Sequence, residues 1–288
     1  MMTTSQAAGD DFSADSNQQN PPGYVDGKPA PLLIEELTLV RERPTDAVWQ
    51  WLARGWEDTK ACFAVSALYA FLFTLGGFII SFGFYFAGMP YLVLPSITGF
   101  LLVGPALGVG FYEISRKRAA GETATLGDAM MAFRRNTLGI MGYGVFLVFL
   151  FQVWIRLSFT VAAMSFPGVS PEWPAIIERA LTTFDGVTFG ISITILGSIF
   201  AAITFFSGAF SMPMLVDRKS VLVPSMLTSV VAVWRNRVSC LLWAGVIVLF
   251  TGVGLFTLGI GLVLMFPLIG HATWHAYKDV IAQTLEST

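Results

Sequence analysis

The chain has two histidines, His271 and His275. Their spacing puts both imidazoles on one face of a helix, with Trp274 beside them. Two ligands on one helix can begin a metal site, but zinc takes three or four donors. The third donor on offer is Glu113, since Pro105 to Glu113 and Pro267 to His275 are equally spaced. A repeat would set them at one depth. The competing reading gives the imidazoles hydrogen bonds to headgroups or loop carbonyls, and it carries more weight. The expectation is no metal, no cofactor and no catalytic residue.

Other chemical signatures point the same way. No HExxH, aspartate pair, Walker sequence or dinucleotide fingerprint is present, and no Ser–His pair is available by spacing. Glu113, Arg156 and Asp217 fall near the ends of apolar stretches, where long side chains can snorkel. A charge near mid-membrane would instead cost several kcal/mol and mark a site.

What must position these residues is a set of membrane helices. Hydrophobic residues make up 55% of the 288 and charged ones 12%, with a mean hydropathy of +0.67. Ala61–Ala87 and Val187–Val216 contain no charge. Such runs read as bilayer crossings, and backbone groups without water require helices. Six spans fit: Ala61–Ala87, Tyr91–Ile114, Thr137–Leu157, Val187–Met212, Val238–Phe256 and Thr257–Tyr277. The last two depend on a turn at the glycine cluster Gly252, Gly254, Gly259 and Gly261. Without it, Val238–Gly270 would be one uncharged run too long for a single crossing.

Basic residues orient the bundle. Arg54 and Lys60, then Arg116, Lys117, Arg118, Arg134 and Arg135, then Arg218, Lys219, Arg235 and Arg237 flank one set of span ends, and Lys278 follows the last. The positive-inside rule then places both termini in the cytoplasm. Residues 1–39 read as a disordered polar tail without a signal-peptide core, and 281–288 as a short cytoplasmic tail. Cys62 and Cys240 read as small apolar residues, not as a disulfide.

Within 40–280 the chain reads as three units, about 47–125, 126–223 and 224–280. Each has a short interfacial helix, two spans and a late proline (Pro105, Pro213 or Pro267). The fold class expected is an all-α transmembrane bundle of three parallel hairpins. In the first lead-in, Val48, Leu52 and Trp56 make an apolar stripe. Thr125 to Asp128 matches a capping box opening the second. Trp49, Trp56, Trp234, Arg134 and Arg235 are the expected membrane-interface anchors.

Five strings then carry a family resemblance: Arg54-Gly-Trp-Glu-Asp58, Gly99 to Arg116, Gly121-Glu122, Leu126-Gly-Asp128-Ala129, and Pro267-Leu-Ile-Gly-His-Ala-Thr-Trp-His-Ala-Tyr-Lys278. From about Val40 to Val280 the chain resembles bacterial integral membrane proteins of domain of unknown function 2189. The resemblance implies a membrane-embedded fold and no established activity. Some members carry a cytochrome c oxidase subunit I label, but a haem–copper centre needs about six histidines and this chain has two. Association with a respiratory complex is the most that label implies. The lipid bilayer is the expected partner and no basic stripe suggests nucleic acid. The functional expectation is a non-catalytic accessory or scaffold protein, with a channel or permease for a small neutral or lipid-like solute as the alternative.

Overall fold

The structure is a computed structural model and describes Tyr24–Val25, Lys28–Pro29, 40–89, 92–166, 178–179, 182–218 and 220–281. Most of the expected tails, and residues 167–177, 180 and 181 of the long third connection, lie outside the described residues. Tyr24–Val25 (β1) and Lys28–Pro29 (β2) pair antiparallel. Apart from these and an isolated bridge, the described regular structure is helical.

The helices are α1 (Ala47–Ala61), α2 (Phe63–Phe86), α3 (Val93–Leu102), α4 (Gly104–Leu107), α5 (Val109–Ala119), α6 (Leu126–Met131), α7 (Thr137–Ser165), α8 (Phe184–Gly208), α9 (Ser211–Asp217), α10 (Leu222–Arg235), α11 (Arg237–Phe256) and α12 (Leu262–Val280). Four helical stretches are long and apolar enough to cross a membrane: Phe63–Phe86, Leu126–Ser165, Phe184–Asp217 and Arg237–Phe256. A fifth arises if Pro95–Leu102 and Gly104–Ala119, bent by 53° at their junction, count as one span. Pro105 accounts for that bend, because it cannot donate to the carbonyl one turn back and its ring crowds it. Where a sixth crossing was expected lies α12, whose second half carries His271, His275, Lys278 and Asp279.

The reversal between α11 and α12 falls at Thr257–Gly261, inside the glycine cluster. Leu258 and Gly259 both have positive φ there, 52° and 78°. Thr125 and Asp128 form the reciprocal capping box at the start of α6, as their spacing implies.

Along their lengths α2 packs on α3, α7 on α8 and α11 on α12. The main core lies at the charged ends of these pairs. Trp51, Trp243, Trp274, Tyr143, Tyr277, Phe210 and Met212 belong to one buried cluster that draws on α1, α5, α7 and α9–α12. Towards the other end the spans expose Ile79, Phe82, Phe86, Ile191 and Ile195, as a lipid-facing surface does.

The expected stripe on α1 is corrected by rotation. Val48, Trp51, Gly55 and Asp58 are among the buried residues facing the bundle and Leu52 packs partly against it, whereas Trp56 is 41% exposed. Gly55 sets that rotation: a Cβ there would lie 2.6 Å from the Ala272 backbone nitrogen. The two helices therefore touch backbone to backbone, which only glycine permits.

Polar residues tie the charged layer into a ring. Asn236, between α10 and α11, accepts from the Arg43 N–H at 2.6 Å and donates to the Arg41 carbonyl at 3.0 Å. Asn136, before α7, donates to the Ser220 carbonyl ahead of α10 at 2.8 Å. Asp58, near the end of α1, pairs with Arg118 ahead of α6. A backbone bridge between Val40 and Ile281 brings the two ends of the ring together. Asn236→Ala orphans a backbone donor and an acceptor at a site only 4% exposed. We expect it to lower stability by roughly 2–4 kcal/mol. Thermal melting in mild detergent checks this, and an unchanged midpoint would remove Asn236 from the ring.

Candidate functional site: a buried histidine–aspartate network

Four helices meet around the two histidines. Asp58 comes from α1, Ser66 from α2, Ser115 and Arg118 from α5, and His271 and His275 from α12. Glycine contacts allow the approach. Gly55 admits α12 against α1, and a Cβ on Gly270 would strike the Phe111 ring of α5 at 2.5 Å. The single-residue break at Cys62 separates α1 from α2, and both segments still face α12.

Hydrogen bonding fixes the direction of the network. The Asp58 carboxylate can only accept, so the Ser115 hydroxyl donates to Oδ2 at 2.5 Å. The Ser115 oxygen is then free to accept from Nδ1–H of His271 at 2.8 Å. That tautomer leaves Nε2 of His271 as an acceptor, and the Ser66 hydroxyl donates to it at 2.9 Å. His275 donates from Nε2 to the same Asp58 oxygen at 3.0 Å, while Arg118 holds Oδ1. Burial alone would raise the Asp58 pKa. The hydrogen bonds from His275 and Ser115, with the nearby imidazoles, outweigh it and hold the carboxyl below its ordinary 3.8.

Several expectations are corrected here. A Ser–His pair does exist, twice over, because folding joins residues that sequence spacing keeps apart. The acidic partner of His275 is Asp58, not Glu113. Glu113 binds Arg116 through two contacts of 2.8 Å and lies 3.4 Å from Arg135. Among the described residues no three His, Cys, Asp or Glu side chains are grouped as metal ligands. Asp217, the other acid near a span end, accepts from Tyr277 at 2.8 Å and Lys278 at 3.1 Å. Trp49 and Trp234 are 59% and 66% exposed, Arg235 is exposed next to Trp234, and Arg134 is exposed just ahead of α7.

Ser66 and His271 have the heavy-atom geometry of a nucleophile and its base. Both are 0% exposed, and the Phe111 ring stands edge-on to His271 at 5.6 Å. The inner part of the network (Ser66, Ser115, His271 and Asp58) is sealed by packing, whereas His275 and Arg118 reach its edge. Sequence alone does not single out Asp58, Ser66, Ser115 and Arg118 as site residues. A usable signal existed: Asp58 ends the first resembling string, and the histidines lie in the last. These two strings meet in space.

No curated protein and no solved structure matches the chain. The match to a family covers less than the resemblance does, leaving out both the Arg54–Asp58 string and the terminal histidine string. Residues 93–217, from the start of α3 to the end of α9, match the family described as "Predicted integral membrane protein (DUF2189)", and the protein is an integral membrane protein.

Proposed function

We propose that the protein is a non-catalytic inner-membrane component with cytoplasmic termini, acting as an accessory or scaffold through its surfaces. The observation that carries this reading is the filled charged-end core. Trp51, Trp243 and Trp274, each at most 2% exposed, occupy the space between the helix pairs together with Tyr143 and Tyr277. A passage for a small neutral or lipid-like solute along that axis would have to displace all of them, so the same residues oppose the permease alternative. A catalytic role is opposed by the burial of Ser66 and His271, which leaves a substrate no approach.

The finer topology belongs to this proposal. Six spans in three parallel hairpins accord with the packing of α2 on α3, α7 on α8 and α11 on α12. The ring of clamps accords with it too. In each unit the polar residue that ends the lead-in helix holds the segment ahead of the next lead-in, and the third closes on the first. On this reading the basic layer is the cytoplasmic face.

Native mass spectrometry after mild-detergent extraction tests the proposal. A second membrane protein is expected at fixed stoichiometry, and substitutions of exposed Trp49 and Trp234 are expected to weaken its retention. A chain that always emerges alone, or solute flux in reconstituted vesicles, would overturn it.

A further inference from the structure

At the end of the bundle remote from Asp58, α2 and α3 reach further than α11 and α12 do. The Thr257–Gly261 turn stops beside the middle of α2, where a Cβ on Gly259 would lie 2.7 Å from the Phe78 ring. Beyond that level α2 continues to Phe86 with no neighbour from α11 or α12 to cover it. A cavity of about 280 Å³ fills the step, walled by Phe78, Phe82 and Tyr85 of α2, Ile97 and Phe100 of α3, and Leu258 of the turn. It runs from Thr74 to Tyr85, which is about 16 Å at 1.5 Å per helical residue.

The surroundings say what occupies it. The floor is an apolar turn, with Phe256, Leu258 and Ile260 92%, 79% and 76% exposed. An uncharged turn of that kind has no favourable place in water. The groove is continuous with the lipid-facing surface made by Ile79, Ile80 and Phe86 of the same helix. Hydrocarbon therefore already lies at its mouth. Gly77 keeps the wall shallow, since a Cβ there would only touch the Phe100 ring at 3.4 Å. Ser81 and Ser96, near the α2–α3 end of the groove, share a hydrogen bond at 3.0 Å, so their hydroxyls are satisfied within the protein.

We propose that the step above the Thr257–Gly261 turn is a seat for one acyl chain of a membrane phospholipid. The chain lies along α2 with its methyl end towards Thr74 and its headgroup end beside Tyr85. The seat is independent of the scaffold reading, since it rests on the step between helix lengths. The acyl chain fills the step left where the α11–α12 turn stops beside the middle of α2. A bound chain supplies the dispersion contacts that a longer α11–α12 pair would otherwise make.

Photocrosslinking of the full chain in phosphatidylglycerol and phosphatidylethanolamine vesicles tests this. The probe is a phosphatidylcholine with a diazirine on its acyl chain, and adducts are mapped by mass spectrometry. The reference surface is Ile191, Ile195 and Ile199 of α8, which are 57%, 58% and 50% exposed and border no such step. Groove residues are expected to be labelled several-fold more than α8. Gly77→Leu fills the groove from α2 and Ile97→Phe fills it from α3. Each should bring groove labelling down to the α8 level while leaving α8 unchanged, and a melting curve confirms folding for each. Equal labelling of groove and α8 in the wild type overturns the proposal. So does labelling unaffected by either folded variant, or crosslinks showing a second copy of the chain in the groove. Loss of a protein partner would overturn the scaffold reading and leave this result unchanged.

Discussion

Asp58→Ala is expected to destabilise the protein by about 1–3 kcal/mol, the usual cost of leaving a buried hydrogen-bonding group without its partner. Asp58 is 3% exposed and is the common acceptor for Ser115, His275 and Arg118. Without it, Ser115 loses its acceptor and the orientation it imposes on His271 is lost. Arg118 and His275, with side chains 39% and 21% exposed, can turn to water instead, which limits the loss. Asp58→Asn should be milder, because an amide oxygen still accepts from one donor. Thermal melting with a fluorescent thiol or fusion reporter measures both. A melting point for Asp58→Ala within a degree of wild type would show that the network contributes nothing to the fold.

The same residue sets a pH dependence whose sign follows from linkage. Its folded-state pKa lies below the ordinary 3.8, so the unfolded chain binds its proton first as pH falls. Its stabilising contribution is fully present above 3.8 and is lost as pH drops through the lowered native value. Wild-type melting points are therefore expected to be level down to about pH 4 as far as Asp58 is concerned, then to fall. The Asp58→Asn protein should lack that component of the fall. Parallel acid-side slopes in the two proteins would show that Asp58 is not the group responsible.

Trp51→Ala is expected to cost a further class of energy, about 3–5 kcal/mol from an unfilled cavity. Trp51 is 0% exposed and meets Trp243 edge to face at 6.3 Å. Its indole N–H also donates to Asp279 at 2.9 Å, and Asp279 in turn pairs with Arg43 at 2.9 Å. Trp51→Phe keeps much of the volume but removes the indole's hydrogen bond to the Asp279 carboxylate, so an intermediate loss is expected. Trp49, two residues away and 59% exposed, provides the control. Trp49→Ala should change stability by less than about 1 kcal/mol in detergent. Equal effects at Trp49 and Trp51 would refute the inward rotation of α1.

That pair of tryptophans shows where sequence reading stops. Both lie in one short helix, and both suit a headgroup anchor by composition. Which of them points inward depends on the helix's rotation about its axis. Gly55 decides it by letting α1 lie against Ala272. An isolated glycine in a helix carries no label saying which partner it admits. The same holds for Asp58, whose neighbours in sequence give it no role. Its partners sit on α5 and α12, more than fifty residues away in sequence.

Local features were read from the residues alone. Membrane character follows from long uncharged runs, since hydropathy is a sum over neighbours. The capping box at Thr125 and Asp128 and the turn within Gly252–Gly261 follow from short-range backbone chemistry. The bend at Pro105 follows from a missing N–H.

By itself, then, the sequence determined that this protein is a set of apolar helices, and where several of them begin, bend and turn. Tertiary structure alone decided which polar groups meet. It replaced Glu113 with Asp58 beside His275, joined two serines to His271, and opened an apolar step where α2 outreaches the last turn. The physical reason is common to all three. An almost uniformly apolar helix has little preference for how it turns about its axis or how deep it sits. Close glycine contacts and relative helix lengths settle both, and these exist only once the helices have packed.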